Sequence, residues 1–253
     1  EADGHLDVAK LAAEVDKNTV LVSCMAVNNE TGTLQDIAAL STAVKAKNSR
    51  CAVHVDAVQA WLRIPIDLQK SGRTWIPSRY PAIKCMAPRE SALCSSRTAC
   101  ARRFARPTWA AIRSAACVPG TENSPLISLA IGLAAAKGAK NLSDRNAHIR
   151  ALNAQLRTGL EELAQQAPIT LNSPADAVPE VLNFSTNCVN SQTFIEYLSG
   201  RHIYISGGSA CDKGEPSQHP DGDGRAGPCR AHGAARQLLR DNTPKMCRPC
   251  WTA

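Results

Sequence analysis

Apolar residues along this chain follow two rhythms, and the switches between them mark out its elements. Residues 19–27 (TVLVSCMAV) form a run of the buried-strand kind that stops at the polar pair Asn28-Asn29. From 34 to 48 the spacing turns helical, with Ile37, Leu40 and Val44 on one side and Asp36 near the positive helix start. Residues 51–55 make a second apolar run, closing at Asp56. Strand, helix and strand in this order predict a parallel sheet flanked by helices. Ligands of such sheets bind beyond the carboxyl ends of the strands, where Asn29 and Asp56 both fall.

Beyond Pro119 the periodicity returns in a different order. Residues 126–140 read as an Ala-rich helix, and Asp144 is placed to cap a second one with Ile149, Leu152, Leu156, Leu160 and Leu163 on one face. Residues 178–185 read as a strand, 192–198 as a short helix stopped by Gly200, and 202–205 as a strand leading into a Gly/Ser-rich loop. The expected fold is α/β. Residues 1–140 carry the parallel sheet with its helices, and 141–253 form a smaller α+β domain.

Two stretches, 73–118 and 218–253, fit neither rhythm. They hold seven of the eleven cysteines and three of the four tryptophans. Nine Lys/Arg against the single acid Glu90 give 73–118 a net charge of +8, so with +7 for the whole chain the remainder is close to neutral. A general affinity for nucleic acid therefore does not follow from the basic balance. No apolar run approaches membrane-spanning length, and the start Glu1-Ala-Asp-Gly-His5 is polar. The reading is a soluble, cytoplasmic protein without a targeting segment.

Four motifs carry chemistry. Ile205-Ser-Gly-Gly-Ser-Ala-Cys211-Asp-Lys-Gly places one thiol on a glycine-rich loop, the setting of a nucleophile rather than of a core residue. His54-Val-Asp56-Ala-Val-Gln59 ends a strand on a carboxylate. Val27-Asn-Asn29-Glu-Thr-Gly32 is a turn in composition, and Pro119-Gly-Thr121-Glu-Asn123 opens a helix. Cys247-Arg-Pro-Cys250 has no second cysteine pair at metal spacing, so no metal is expected there.

Taken together the four motifs resemble the cysteine desulfurases of the NifS/IscS type, fold-type I pyridoxal-phosphate enzymes of the class V aminotransferase superfamily. The resemblance implies pyridoxal 5'-phosphate as cofactor and L-cysteine as substrate. It implies a sulfur-acceptor protein such as an iron–sulfur scaffold as partner, and a homodimer that engages neither membrane nor nucleic acid. By the same resemblance Cys211 accepts the sulfur, Lys84 is the Schiff-base lysine and Asp56 pairs with the pyridine nitrogen. Gln59 and Asn29 serve the phenolic edge, Thr121 reaches the phosphate of the other subunit, and Arg236 grips the substrate carboxylate, with Arg240 as its competitor. A selenocysteine lyase of the same superfamily and a non-catalytic, cysteine-rich fragment are the alternatives. Family members begin well upstream of Glu1, so the chain reads as a fragment of such an enzyme.

The aberrant stretches have a simple reading as shifted frames. Residues 81–90 can be back-translated so that the frame one nucleotide earlier encodes S-G-H-K-M-Y-G-P-K-G, the lysine motif of the family. Residues 109–117, read from the third base, give G-G-H-Q-E-R-G-L, and 218–225 and 245–252 likewise become family-like helix. On this hypothesis insertions or deletions account for 73–118 and 218–253, and their surplus cysteines, tryptophans and charge would carry no functional message.

Overall fold

The computed structural model describes residues 4–66, 75–78, 80–81, 92–93, 125–187, 189, 191–207 and 234–237, and for 75–78, 80–81, 92–93, 125–131 and 234–237 the backbone alone. The first helix, α1 (Val8–Ala13), starts where the Asp7 side chain accepts from the Lys10 N–H at 2.9 Å. The same device opens α2 (Ile37–Lys47): Asp36 accepts from the Ala39 N–H at 2.9 Å, satisfying one of the donors a helix start leaves unpaired. Asn48 closes α2, and its Nδ2 donates to the carbonyls of Asp16 and Thr19, tying the helix end to the loop before the first strand.

That strand, β1 (Leu21–Met25), pairs in parallel with β2 (Ala52–Asp56), from Leu21 opposite Ala52 to Met25 opposite Asp56. A third strand, β3 (Trp75–Ser78), continues the parallel sheet on the far side of β2. It begins inside the stretch that the sequence marks as aberrant. Val53 and Val55 on β2 and Leu40 and Val44 on α2 are nearly or wholly excluded from solvent. The β1 strand, expected to be buried, is half-buried on one face, at Val22 and Cys24, and exposed on the other. Leu21, Ser23 and Met25 are exposed, and β1 is an edge strand of the described sheet. Short antiparallel strands β4 (Tyr80–Pro81) and β5 (Ala92–Leu93) follow.

The helix α3 (Pro125–Lys140) is succeeded by the 23-residue α4 (Leu142–Ala164). Asp144, expected as the cap of α4, lies in its first turn, where a carboxylate still meets the positive end of the helix. The predicted apolar face is there. Ile149, Leu152, Leu156 and Leu160 are buried and Leu163 is half-buried. An antiparallel sheet follows, of β6 (Ile169–Leu171), β7 (Val181–Thr186) and β8 (Ala234–Gln237), with β7 central. Leu156, Leu160, Leu182 and Phe184 form its core, against which Ile169, Leu171, Phe194 and Ile205 pack.

Between β7 and β8 lies α5 (Ser191–Ser199). The helix ends at Ser199, directly before the Gly200 expected to stop it, and the Gly200 N–H still donates to the Glu196 carbonyl. The chain then turns at His202, which has a positive φ of 62°, and the Ile203 N–H returns to the Leu198 carbonyl. Residues 202–205, expected as a strand, are therefore not one, and β8 takes the place beside β7.

The chain divides into two compact units. One comprises Asp7–Val27 and Asp36–Leu142, the other Glu1–Leu6, Asn28–Gln35 and Ser143–Ala253. The second unit thus includes a short loop from the first half of the sequence.

Candidate functional site

In the first unit the candidate site is built at the carboxyl end of β2. Asp56 is the last residue of that strand, half-buried, and its main-chain carbonyl accepts from the Ala26 N–H at 2.9 Å. Its Oδ1 accepts from the Val58 N–H at 2.8 Å, which starts a helical turn through residues 58–64. Gln59 lies on that turn. Its Oε1 accepts from Nη1 of the buried Arg63 at 2.9 Å, so the Gln59 amide turns its donor group to the other side. A carboxylate and an amide donor are thereby held close together in sequence on a rigid strand end.

His54 sits two residues before Asp56 on the same side of β2. Its Nδ1 lies 2.7 Å from the hydroxyl of Ser23, the residue opposite it on β1. Burial pushes the His54 pKa below the usual imidazole range, and the Asp56 charge opposes that shift only in part. His54 is thus a neutral ring beside the carboxylate at physiological pH. Nothing in the motif singled out Ser23, because its role depends on the register of two strands 31 residues apart.

Asn29 belongs to the second unit. The Asn28-Asn29 pair divides its work. Asn28 Oδ1 accepts from the N–H groups of Glu30 and Thr31 at 2.8 and 2.9 Å and so makes the turn, while Asn29 stands exposed beside it. The turn is thus the work of Asn28, and the Asn29 side chain takes no part in it.

Cys211, Lys84, Thr121 and Arg240 lie outside the described residues. Of Arg236 the backbone is described, in β8 opposite Leu182. Two free cysteines occur among the described residues, and neither suits nucleophilic work. Burial pushes the Cys24 thiol up to about 11, leaving it protonated at neutral pH. Cys51 is fully buried. Among the described residues no cluster of His, Cys, Asp and Glu is arranged to hold a metal ion, and no helix is long and apolar enough to cross a membrane.

The chain is similar in sequence and fold to known proteins. The Aminotransferase class-V family matches residues 1–75. Cysteine desulfurase NifS of Azotobacter vinelandii is 29% identical over 216 residues, covering 85% of this chain and 52% of the relative. The cysteine desulfurase of Gluconacetobacter diazotrophicus is 30% identical over 247 residues, covering 96% of this chain and 59% of the relative. A solved NifS-like protein superposes with a TM-score of 0.79 at 26% identity, over 97% of this chain and 63% of that one. The chain therefore spans little more than half the length of the curated relatives it matches.

The chain is thus similar to the class V aminotransferases over residues 1–75 and has the fold of the NifS-like, fold-type I proteins. Within that class it is NifS/IscS-like. The class is generally pyridoxal-phosphate dependent. The residues present fit the ring of that cofactor. Asp56 is a half-buried carboxylate at the end of a parallel strand with Oδ1 held by the Val58 N–H, the kind of acceptor that suits a pyridinium N–H, and Gln59 lies on the turn that follows.

Proposed function

We propose that this chain is part of a pyridoxal-phosphate-dependent cysteine desulfurase, which moves the sulfur of L-cysteine to Cys211 and releases L-alanine. The observation that carries the reading is the Asp56–Gln59 arrangement, an acceptor and a donor at the carboxyl end of a parallel strand. Bound there, the cofactor holds the substrate amine and withdraws electrons from its carbon skeleton. Asp56 keeps the ring nitrogen protonated, Gln59 and Asn29 bind the phenolic edge, and the neutral His54 leaves the Asp56 charge to the ring. Lys84 anchors the cofactor aldehyde, Thr121 meets the phosphate from the second subunit of a homodimer, and Arg236 holds the substrate carboxylate.

Cys211 acts as a thiolate. Its sulfur attacks the substrate sulfur and forms the S–S bond of a persulfide. The substrate Cβ–S bond breaks, its electron pair stays on Cβ, and a proton delivered there completes alanine. A Gly/Ser-rich loop suits this work, because the thiolate must reach the substrate and then present the persulfide to an acceptor protein. Residues 1–140 serve as the cofactor-bearing domain and 141–253 as the domain of the cysteine loop. Cys211→Ser, made in the full-length protein with its frame restored, tests the proposal. The variant should lose persulfide formation, read by mass spectrometry, and retain cofactor absorbance. Undiminished desulfuration by it would remove Cys211 from the mechanism.

A further inference from the structure

The loop Asn28–Gln35 follows β1 in sequence but is fastened by hydrogen bonds to residues 172–183 of its own unit. Ser173 is the centre of the fastening. Its hydroxyl, in a residue only 3% exposed, donates to the Thr31 carbonyl at 2.6 Å and accepts from the Asn183 N–H at 2.8 Å. The Asn183 side chain, comparably buried, donates from Nδ2 to the Glu30 carbonyl at 3.3 Å, and its Oδ1 accepts from Asn172 Nδ2 at 2.7 Å. The Val178 N–H donates to the Gly32 carbonyl at 2.9 Å. Three successive carbonyls, those of Glu30, Thr31 and Gly32, are thus claimed by three different groups of residues 173–183. Inside the loop the Asn28 side chain and the bond from the Asn28 N–H to the Thr33 carbonyl, 2.9 Å, complete a closed turn.

Such a clasp exceeds what a surface turn needs. A turn is satisfied by its own Asx bonds and by water. Buried hydroxyl and amide partners on the outer carbonyls add only orientation, at the cost of two buried polar side chains that must stay paired. Asn29, the one residue of the loop proposed to meet the cofactor, is the exposed residue immediately before the three clasped carbonyls.

We propose that Ser173 and Asn183 are positioning residues for Asn29, fixing the backbone of residues 30–32 so that the Asn29 amide is presented in one orientation. The cofactor side of this inference rests on the reading of Asn29 given above. The clasp itself does not.

The test uses the 253-residue chain labelled with nitrogen-15. Ser173→Ala and, separately, Asn183→Ala should speed amide exchange at residues 30–33 by about tenfold or more, with β6 and α4 unchanged. The Asn29 side-chain amide signals should move toward free-amide positions. Ser173→Thr, which keeps the hydroxyl, should restore both. Unchanged exchange at 30–33, or exchange raised equally across the whole unit, would overturn the positioning role and leave these residues as ordinary packing. Pyridoxal phosphate added to the protein with its frame restored across 81–117, once its absorbance shows the cofactor bound, separates the two readings. A shift of the Asn29 amide signals supports the cofactor contact, whereas a working clasp with an Asn29 indifferent to the cofactor would overturn the reading of Asn29 alone.

Discussion

At the scale of single residues, a motif names the residue type and the fold decides its state. Asp56, Gln59 and Asn29 were legible in the sequence as polar residues at strand ends and turns. Ser23 and the division of work between Asn28 and Asn29 were not, because both follow from pairings across the chain. His54 gives a prediction from its lowered pKa. The unfolded chain binds a proton on this imidazole at a higher pH than the folded chain does, so protonation favours unfolding. The stability contribution of the neutral ring is fully present above the ordinary histidine range. It is lost as the pH falls through the depressed folded value. Denaturant midpoints at mildly acidic and neutral pH should therefore diverge less for His54→Gln than for the parent. Equal divergence in the two proteins would show that other groups govern the acid sensitivity.

At the scale of elements, apolar periodicity revealed β1, β2, β7, α2 and the face of α4, whose signals are local, and gave no sign of β3 or β6. It misplaced the third strand of the antiparallel sheet. Residues 202–205 have strand-like composition, but the helix end at His202 and the packing of Ile205 on the core direct them elsewhere. Pairing with β7 is a non-local choice that composition does not encode. Two glycines sharpen the point by predicting opposite signs. Gly32 has φ +74°, and a Cβ there would sit 3.0 Å from Val181 Cβ. Gly32→Ala should cost about 1–3 kcal/mol through backbone strain and crowding. Gly132 lies within α3, and a Cβ added there would meet no atom within 4 Å, so Gly132→Ala should stabilise by about 0.5–1 kcal/mol. Thermal denaturation of the two variants reads both, and a tolerated Gly32→Ala would refute the strained turn. Leu182→Ala, at the fully buried centre of β7, should cost about 2–5 kcal/mol by the same measurement.

At the scale of the whole molecule, the question is how the residues of 73–118 bear on cofactor binding. Relatives match most of the chain, but the family match ends at residue 75, close to where the proposed frame shift begins. Under the proposed frame shift Lys84 retains an amine at the expected position, because its codon would share two bases with that of the family lysine. Pro81, Ala82 and Ile83 stand where the family motif has serine, glycine and histidine. An amine alone makes a poor anchor for pyridoxal phosphate, because a reactive lysine must also be partly neutral at working pH. That condition requires desolvation or a tuned neighbour. Eight further cations and one acid in the same segment supply competing charge rather than that tuning. The 253-residue chain is therefore expected to take up the cofactor weakly, and a gene with the frame restored across 81–117 to take it up fully. Borohydride reduction followed by peptide mapping measures both proteins. Labelling of Lys84 in the 253-residue chain should be well below one pyridoxyl group per chain, against near-complete labelling of the corresponding lysine in the restored protein. Stoichiometric labelling of Lys84 in the unaltered chain would show that residues 73–118 already supply what the lysine needs, and the shifted frame would lose its functional meaning.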